Sequence, residues 1–458
     1  MRPRVAVLGT FDVDNYGDHL FPRIAVAELT RRLPGATVDC YGPFGPLHPT
    51  RFTGGPPIRP LGPWEDGRLD RFADTYHGMV VGGGELLHLD DLLLAGFYGV
   101  EPAEVELVQP SRWFLEGVGA AREERCPVLW HAIGVPYDLS CTQAARVRSA
   151  LAHRAPPVVR DAFSRDRLLA AGVLPPVVVA PDSGLLVDRL WDGDELEDRL
   201  RRLRARGRHP EESALVVQGC DLLVPWADAI AGAARRLARA HAMHLVLLET
   251  GCCRGDAVFA DAVARRLGQE PHHRIPADAD LADVAAVLAT AGLFVGSSLH
   301  GAITALVHGR PFVVMNLGIE SKLRGFARSA GLHHRVVEDI DAIGPVATAA
   351  LREPPLVELV ADLQAQVDRH FDALASAIVE AMEMRPPTER APAPGDLERT
   401  ALLAHVDTLR SELAEARAVA ADAGSEVERL RATRTFRYAA PLRAARRSWL
   451  ALAERRRT

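Results

Sequence analysis

His300 sits in the run Gly296-Ser-Ser-Leu-His-Gly301, directly after the buried-looking apolar stretch Leu293–Val295. An imidazole titrates near neutrality, so a histidine at such a point suits proton transfer. Downstream lies Lys322, the only lysine among 54 lysine and arginine residues, with Glu320 two positions before it. A compact, hydrated ammonium does work that a planar guanidinium does not, so a lysine retained in an arginine-rich chain marks a position to test; biased coding also leaves such singletons. Arg160 ends another apolar run in Val158-Val-Arg-Asp-Ala-Phe-Ser164, with Asp161 beside it and Ser164 as a helix cap soon after. An arginine so placed can hold a carboxylate or phosphate bidentately. After a further strand the chain reads Ala180-Pro-Asp182.

Two glycine-containing segments add to these. Gly9-Thr-Phe-Asp-Val-Asp-Asn-Tyr-Gly-Asp18 leads into a helix, and amides exposed at a helix start, with Gly17 between Asn15 and Asp18, form an anion or hydroxyl site. The same residues also serve as ordinary N-cap chemistry. Val80-Val-Gly-Gly-Gly-Glu85 closes a strand, and Gly83 and Gly84 let the backbone approach a ligand before Glu85 and His88. This is not the G-x-G-x-x-G spacing, so no dinucleotide is implied. The pairs His272–His273 and His333–His334 lack metal-ligand spacing and read as surface loop residues.

These segments need strands to carry them. Val5–Leu8, Val38–Tyr41, Met79–Val81, Val128–His131 and Val177–Val179 read as buried strands, followed by Leu215–Gln218, Leu245–Leu248, Leu293–Val295 and Phe312–Met315. Helical patterns such as Ala227–His241, Asp256–Leu267 and Leu281–Ala291 lie between them. Alternation of this kind implies parallel sheets covered on both faces. The stretch 188–213 carries no strand signal and reads as a helix and interdomain linker. The expectation is an α/β protein of two Rossmann-like domains, 1–190 and 191–385, binding its ligands beyond the strands' carboxyl ends. A proline-rich linker follows at 386–396. Then Leu402, Val406, Leu409, Leu413, Ala416, Ala420, Ala423, Val427 and Leu430 form a heptad seam over 397–432, expected to be a coiled coil that makes a homo-oligomer. Residues 433–458 are basic and aromatic, with Phe436, Tyr438 and Trp449, and suit an anionic membrane surface.

Taken in order, the short segments resemble the polysaccharide pyruvyl transferase family. Its pattern runs N-x-G-D, a G-G-G strand end, R-D-x-x-S, P-D, then S-R-L-H-G with a downstream K. Here these read Asn15–Asp18, Gly82–Gly84, Arg160–Asp161–Ser164, Pro181–Asp182, Ser297–Gly301 and Lys322, across about residues 5–335. The resemblance implies a GT-B-like fold and transfer of the enolpyruvyl unit of phosphoenolpyruvate to sugar hydroxyls. The product is a cyclic ketal on a surface polysaccharide or its lipid-linked precursor, with phosphate released. It calls for no metal and no cofactor beyond phosphoenolpyruvate as co-substrate. His300 is then the acid–base candidate, with Arg160 and Lys322 as catalytic cations, while Asn15, Asp18 and Glu85 orient the acceptor. Gly17, Gly83, Gly84, Asp161, Ser164, Asp182, Ser297, Ser298, Gly301 and Glu320 are the remaining candidate substrate contacts. Ser298 stands where the family pattern has arginine, which leaves the donor's charge to Arg160, Lys322 or Arg310. A nucleotide-sugar glycosyltransferase of GT-B type and a noncatalytic glycan-assembly factor are the competing readings.

Composition narrows the field. With 458 residues and 48% hydrophobic content there is material for two large cores. A net charge of −6 argues against nonspecific nucleic-acid binding. The six cysteines show no C-x-x-C spacing, so neither a zinc site nor a disulfide framework is indicated. An acid at Asp12 interrupts the first apolar run before a signal-peptide core develops, and no run approaches a membrane span, so a cytoplasmic location is expected, with peripheral contact to the inner membrane face.

Overall fold

The apolar runs become two all-parallel sheets in the computed structural model, which describes residues 2–45, 52, 54–64, 68–115, 126–152, 156–174, 176–275, 279–317 and 321–384. The first sheet comprises β1 (Arg4–Leu8), β2 (Thr37–Gly42), β3 (Ile58–Pro60), β4 (Gly78–Gly82) and β5 (Val128–His131), in the order β3-β2-β1-β4-β5. A two-stranded sheet, β6 (Val158–Val159) with β7 (Val178–Val179), continues from it through a parallel bridge between Ile133 and Val159. The second sheet comprises β8 (Ala214–Val217), β9 (His244–Leu248), β10 (His272–Ile275), β11 (Leu293–Gly296), β12 (Phe312–Met315) and β13 (Val336–Val337), in the order β10-β9-β8-β11-β12-β13. Both are the doubly wound, Rossmann-like order expected for a GT-B-like fold. Helices cover both faces, which is why central strands such as Val5–Leu8 are continuously apolar and buried rather than alternating.

Three strands escaped the sequence reading. β3 is three residues long and ends in proline, and β13 is two residues long. β10 reads His-His-Arg-Ile because it lies at a sheet edge, where side chains meet water. His272 and His273, expected in a surface loop, are therefore strand residues paired with Leu245 and Val246 of β9. The stretch after Asp188 does hold a helix, Gly193–Ala205, whose first turn is capped by Asp192 accepting from the Glu195 amide at 2.8 Å.

The last described helix, Val357–Met384, belongs by sequence to the second half but returns to the first sheet. Phe371 and Ile378, both fully buried, are in one core with Val5, Val7 and Val80. An ion-pair network pins it there. Asp368 binds Arg32 at 2.8 Å and Arg189 at 2.8 Å, and both arginines also reach the buried Glu28. The described residues fall within one compact unit, Met1–Arg399. The expected linker, coiled coil and basic tail at 386–396, 397–432 and 433–458 lie outside the described residues. Among the described residues no helix is long and apolar enough to cross a membrane.

Candidate functional site

Each sheet reverses its winding once, between β1 and β4 in the first and between β8 and β11 in the second. Loops after those strands have no neighbour crossing over them, so a crevice opens at the strands' carboxyl ends. The two crevices face each other. The loop after β1 is stitched to the loop after β9: the Tyr16 amide donates to Thr250 O at 2.7 Å, and the Cys252 amide donates to Asp14 O at 3.1 Å. Deeper in, the hydroxyls of Tyr16 and Thr304 are 3.1 Å apart. Between the loops lies a cavity that opens to solvent.

His300 is the second residue of the helix Leu299–Val307, which Ser298 caps by accepting from the Gly301 amide at 3.1 Å. The amides of Ser297 and Ser298 donate to Gln218 Oε1 at 3.0 and 2.9 Å. Gln218 is in turn held through its Nε2, which donates to Asp256 Oδ2 at 3.0 Å, and the Thr250 hydroxyl donates to the same oxygen at 2.8 Å. This buried chain of polar groups sets where the His300 helix begins. The imidazole stands edge-on to Phe21, with ring centroids 5.0 Å apart, and Nε2 faces Asp182 Oδ2 at 3.6 Å. Behind the ring, Gly17 is packed so closely that a Cβ there would overlap Nδ1. Asp182 is buried and accepts from the Gly184 amide at 2.8 Å. Burial pushes its pKa up, but the charge of His300 at 3.6 Å, then Arg160 and the Gly184 amide, bring it to about 2. An ionised carboxylate facing one ring nitrogen restrains the imidazole's orientation, the logic of a histidine–aspartate couple.

Glu85 is the second centre. Gly83 and Gly84, at φ 84° and 95°, make the turn after β4 that only glycine adopts without strain. Glu85 Oε1 then meets Arg160 Nη2 at 3.0 Å, while Oε2 meets Lys322 Nζ at 3.4 Å and Arg254 Nη2 at 3.8 Å. Burial opposes ionisation here, yet the charges of Lys322, Arg160 and Arg254 hold the carboxyl far below the usual carboxylate range. Arg160 also lies 3.5 Å from Asp161 and 3.9 Å from Asp182, so it links the Glu85 cluster to the His300 couple. Asp18 accepts from the Thr10 hydroxyl at 2.8 Å. Its pKa is raised by burial, against the opposing effects of that bond and of His300, Lys322 and Arg254. Burial pushes His88, on the same wall, down to about 4, with Glu85 opposing and Arg254 adding to the shift.

Lys322 reaches the first half because its helix, Ser321–Ser329, packs on the helix Ala162–Ala170. The Ser329 hydroxyl accepts from the Ala162 amide at 3.3 Å. Asn15, Asp18, Gly84, Glu85, Arg160, Ser297, Ser298, His300 and Lys322 all line the cavity. Gly17 and Asp182 flank His300, and Gly83 shapes the turn. Asp161, Ser164 and Gly301 hold backbone instead. Asp161 accepts from the Ser164 amide at 2.7 Å, and the Ser164 hydroxyl accepts from the Val135 amide at 3.0 Å. Arg310, considered as a donor of charge, gives its Nε to Ala289 O at 2.7 Å and does not line the cavity. Glu320 lies outside the described residues.

Sequence reasoning missed Arg254, Gln218, Thr250 and Asp256. Gln218 and Thr250 follow closely after β8 and β9, a placement that would have singled them out. Arg254 carried no compositional signal among so many arginines. Among the described residues no group of histidines, cysteines and carboxylates is placed to hold a metal ion.

Residues 15–318 match the model of a family described as polysaccharide pyruvyl transferase. Among solved structures, the chain is similar to a UDP-N-acetylglucosamine 2-epimerase from Rickettsia bellii, at 9% identity and a TM-score of 0.48, covering 83% of this chain and 98% of that one. It is also similar to a glycosyltransferase from Rickettsia africae ESF-5, at 11% identity and a TM-score of 0.48, covering 84% and 97%. No curated protein matches the sequence.

Proposed function

The chain belongs to the polysaccharide pyruvyl transferase family, a family of transferases acting on glycans, and from that premise we propose that its donor is phosphoenolpyruvate and its product a pyruvate ketal on two hydroxyls of one sugar. The observation that carries this reading is the placement of the His300–Asp182 couple beside the cation cluster of Arg160 and Lys322 in one cavity. Phosphoenolpyruvate carries a carboxylate and a phosphate on a three-carbon unit, and needs several positive donors in reach of one proton donor. Protonated His300 gives its proton to the enol methylene, which becomes a methyl group and leaves C2 electron-poor. A sugar hydroxyl adds to C2, and its proton returns to the imidazole. The C2–O bond to phosphate then breaks, and a second hydroxyl closes the ring, its proton leaving with the phosphate. Asp182 keeps the imidazole oriented through both transfers. Asn15 and Asp18, on the loop after β1, orient the acceptor. The heptad segment and the basic tail fit roles in oligomer formation and in bringing the site to lipid-linked acceptors.

The test incubates the purified full chain and candidate glycans with phosphoenolpyruvate, and separately with nucleotide sugars, following phosphate release and acceptor mass. Phosphate release with a ketal-bearing product, lowered about 10²–10⁴-fold in His300→Ala, is expected. Turnover of a nucleotide sugar instead, or an unimpaired His300→Ala variant that folds normally, overturns the reading.

A further inference from the structure

The cations around Glu85 divide unequally between its two oxygens. Oε1 faces one, Arg160 Nη2 at 3.0 Å. Oε2 faces two, Lys322 Nζ at 3.4 Å and Arg254 Nη2 at 3.8 Å. The single cation comes from the first half, beyond β6. The pair comes from the second half, one on the helix Ser321–Ser329 and one on the loop after β9. Resting on the phosphoenolpyruvate reading above, we propose that Arg254 and Lys322 together form the subsite for the donor's phosphate, leaving Arg160 to its carboxylate. Arg254 is then the residue that separates a phosphorylated donor from a simple carboxylate.

The charge count favours this division. A phosphate monoester carries close to two negative charges near neutrality and a carboxylate carries one, so a pair of cations and a single cation match them. Arg254 is also preorganised. Its guanidinium lies over the Phe97 ring, 5.0 Å from the centroid, a stack that a planar fork makes well. Its backbone is fixed on both sides. Arg254 O accepts from the Asp221 amide at 2.9 Å, and Cys252 O accepts from the Gly255 amide at 3.1 Å. The neighbouring helix start cannot serve the phosphate in the same way, because the Ser297 and Ser298 amides are already directed onto Gln218. Ser298 itself brings no charge to the cavity wall. Glu85, in this view, is the counter-charge the three cations share until the donor's own anionic groups arrive.

The full chain, as wild type and as Arg254→Ala and Arg254→Gln, is titrated calorimetrically with inorganic phosphate, pyruvate and phosphoenolpyruvate. The glutamine variant keeps a planar group on Phe97 while removing the charge, so it decides the matter if the alanine variant misfolds. Both variants are expected to lose about 10- to 100-fold in affinity for phosphate and phosphoenolpyruvate, the loss of one charge-assisted contact, and less than about threefold for pyruvate. Unchanged phosphate affinity, or an equal loss for pyruvate, overturns the subsite. If phosphate binding depends on Arg254 but phosphoenolpyruvate binds no more tightly than phosphate, the subsite stands and the donor reading falls. If phosphoenolpyruvate binds tightly and equally to all three proteins, the donor reading stands and the subsite falls.

Discussion

Glu85→Gln removes a carboxylate from the centre of three cations without changing the volume it occupies. Glu85 is 11% exposed in its side chain, Arg160 is 4%, Lys322 is 15% and Arg254 is 26%. Breaking a well-buried ion pair costs about 3–5 kcal/mol, because the remaining charge is left uncompensated. Arg160 keeps Asp161 at 3.5 Å, and Lys322 and Arg254 keep some contact with water, so the cost falls to or below the bottom of that range, about 2–3 kcal/mol. For a protein of this size that is a fall of roughly 2–3 °C in Tm. An anion in the same place should reverse the effect. A charge about 5 Å from Glu85 is repelled by about 3 kcal/mol at an effective dielectric constant near 20, so removing Glu85 tightens anion binding by an estimated tenfold or more after screening. Ligand at about 100 times its Kd adds about 2.7 kcal/mol of stability. Thermal unfolding of wild type and Glu85→Gln, with and without phosphoenolpyruvate, reads both terms. The variant should melt lower alone and gain more from the ligand. If it melts with the wild type and gains no more from phosphoenolpyruvate, Glu85 is not the counter-charge of an anion site.

Gly17→Ala should leave circular dichroism unchanged, since alanine favours the helix Tyr16–Arg32, yet cut turnover by about 10²-fold by displacing the His300 ring; wild-type turnover would show that the ring's position is immaterial. Lys322→Arg should lower turnover at least about tenfold, because a planar fork must enter a space already shared with Arg160 and Arg254, and full activity would refute a need for a point charge. His131 and His370 are stacked with centroids 5.0 Å apart and an interplanar angle of 1°. Burial pushes His131 down to about 3, with His370 adding to the shift, and pushes His370 down to about 4. Both folded-state values lie below the unfolded value of about 6.5, so the unfolded chain binds more protons as pH falls. Their contribution is therefore complete above about pH 6.5 and is lost on acidification toward pH 4, reaching about 2 kcal/mol per imidazole at pH 5. Urea unfolding across that window should show a shallower pH slope in His370→Gln, and an unchanged slope would refute the linkage. Deleting 433–458 should abolish co-sedimentation with anionic vesicles, and retained binding would place any membrane contact elsewhere.

What sequence alone determined were the parts whose physics is local. Buried parallel strands must be continuously apolar, so Val5–Leu8 and Phe312–Met315 announce themselves, whereas the polar edge strand β10 and the two-residue β13 do not. Ligands gather at strand ends, so Glu85, Arg160 and His300 were legible from the glycine, proline and polar residues that end each run. Tertiary structure alone decided which of these groups meet. Glu85 and Lys322 are 237 residues apart, and they touch only because two separately wound sheets turn their crevices toward each other. Arg254 enters the cluster for the same reason. Its charge is like that of many arginines in the chain, and only the packing of its loop against Asp14 and Phe97 brings it to the cavity wall.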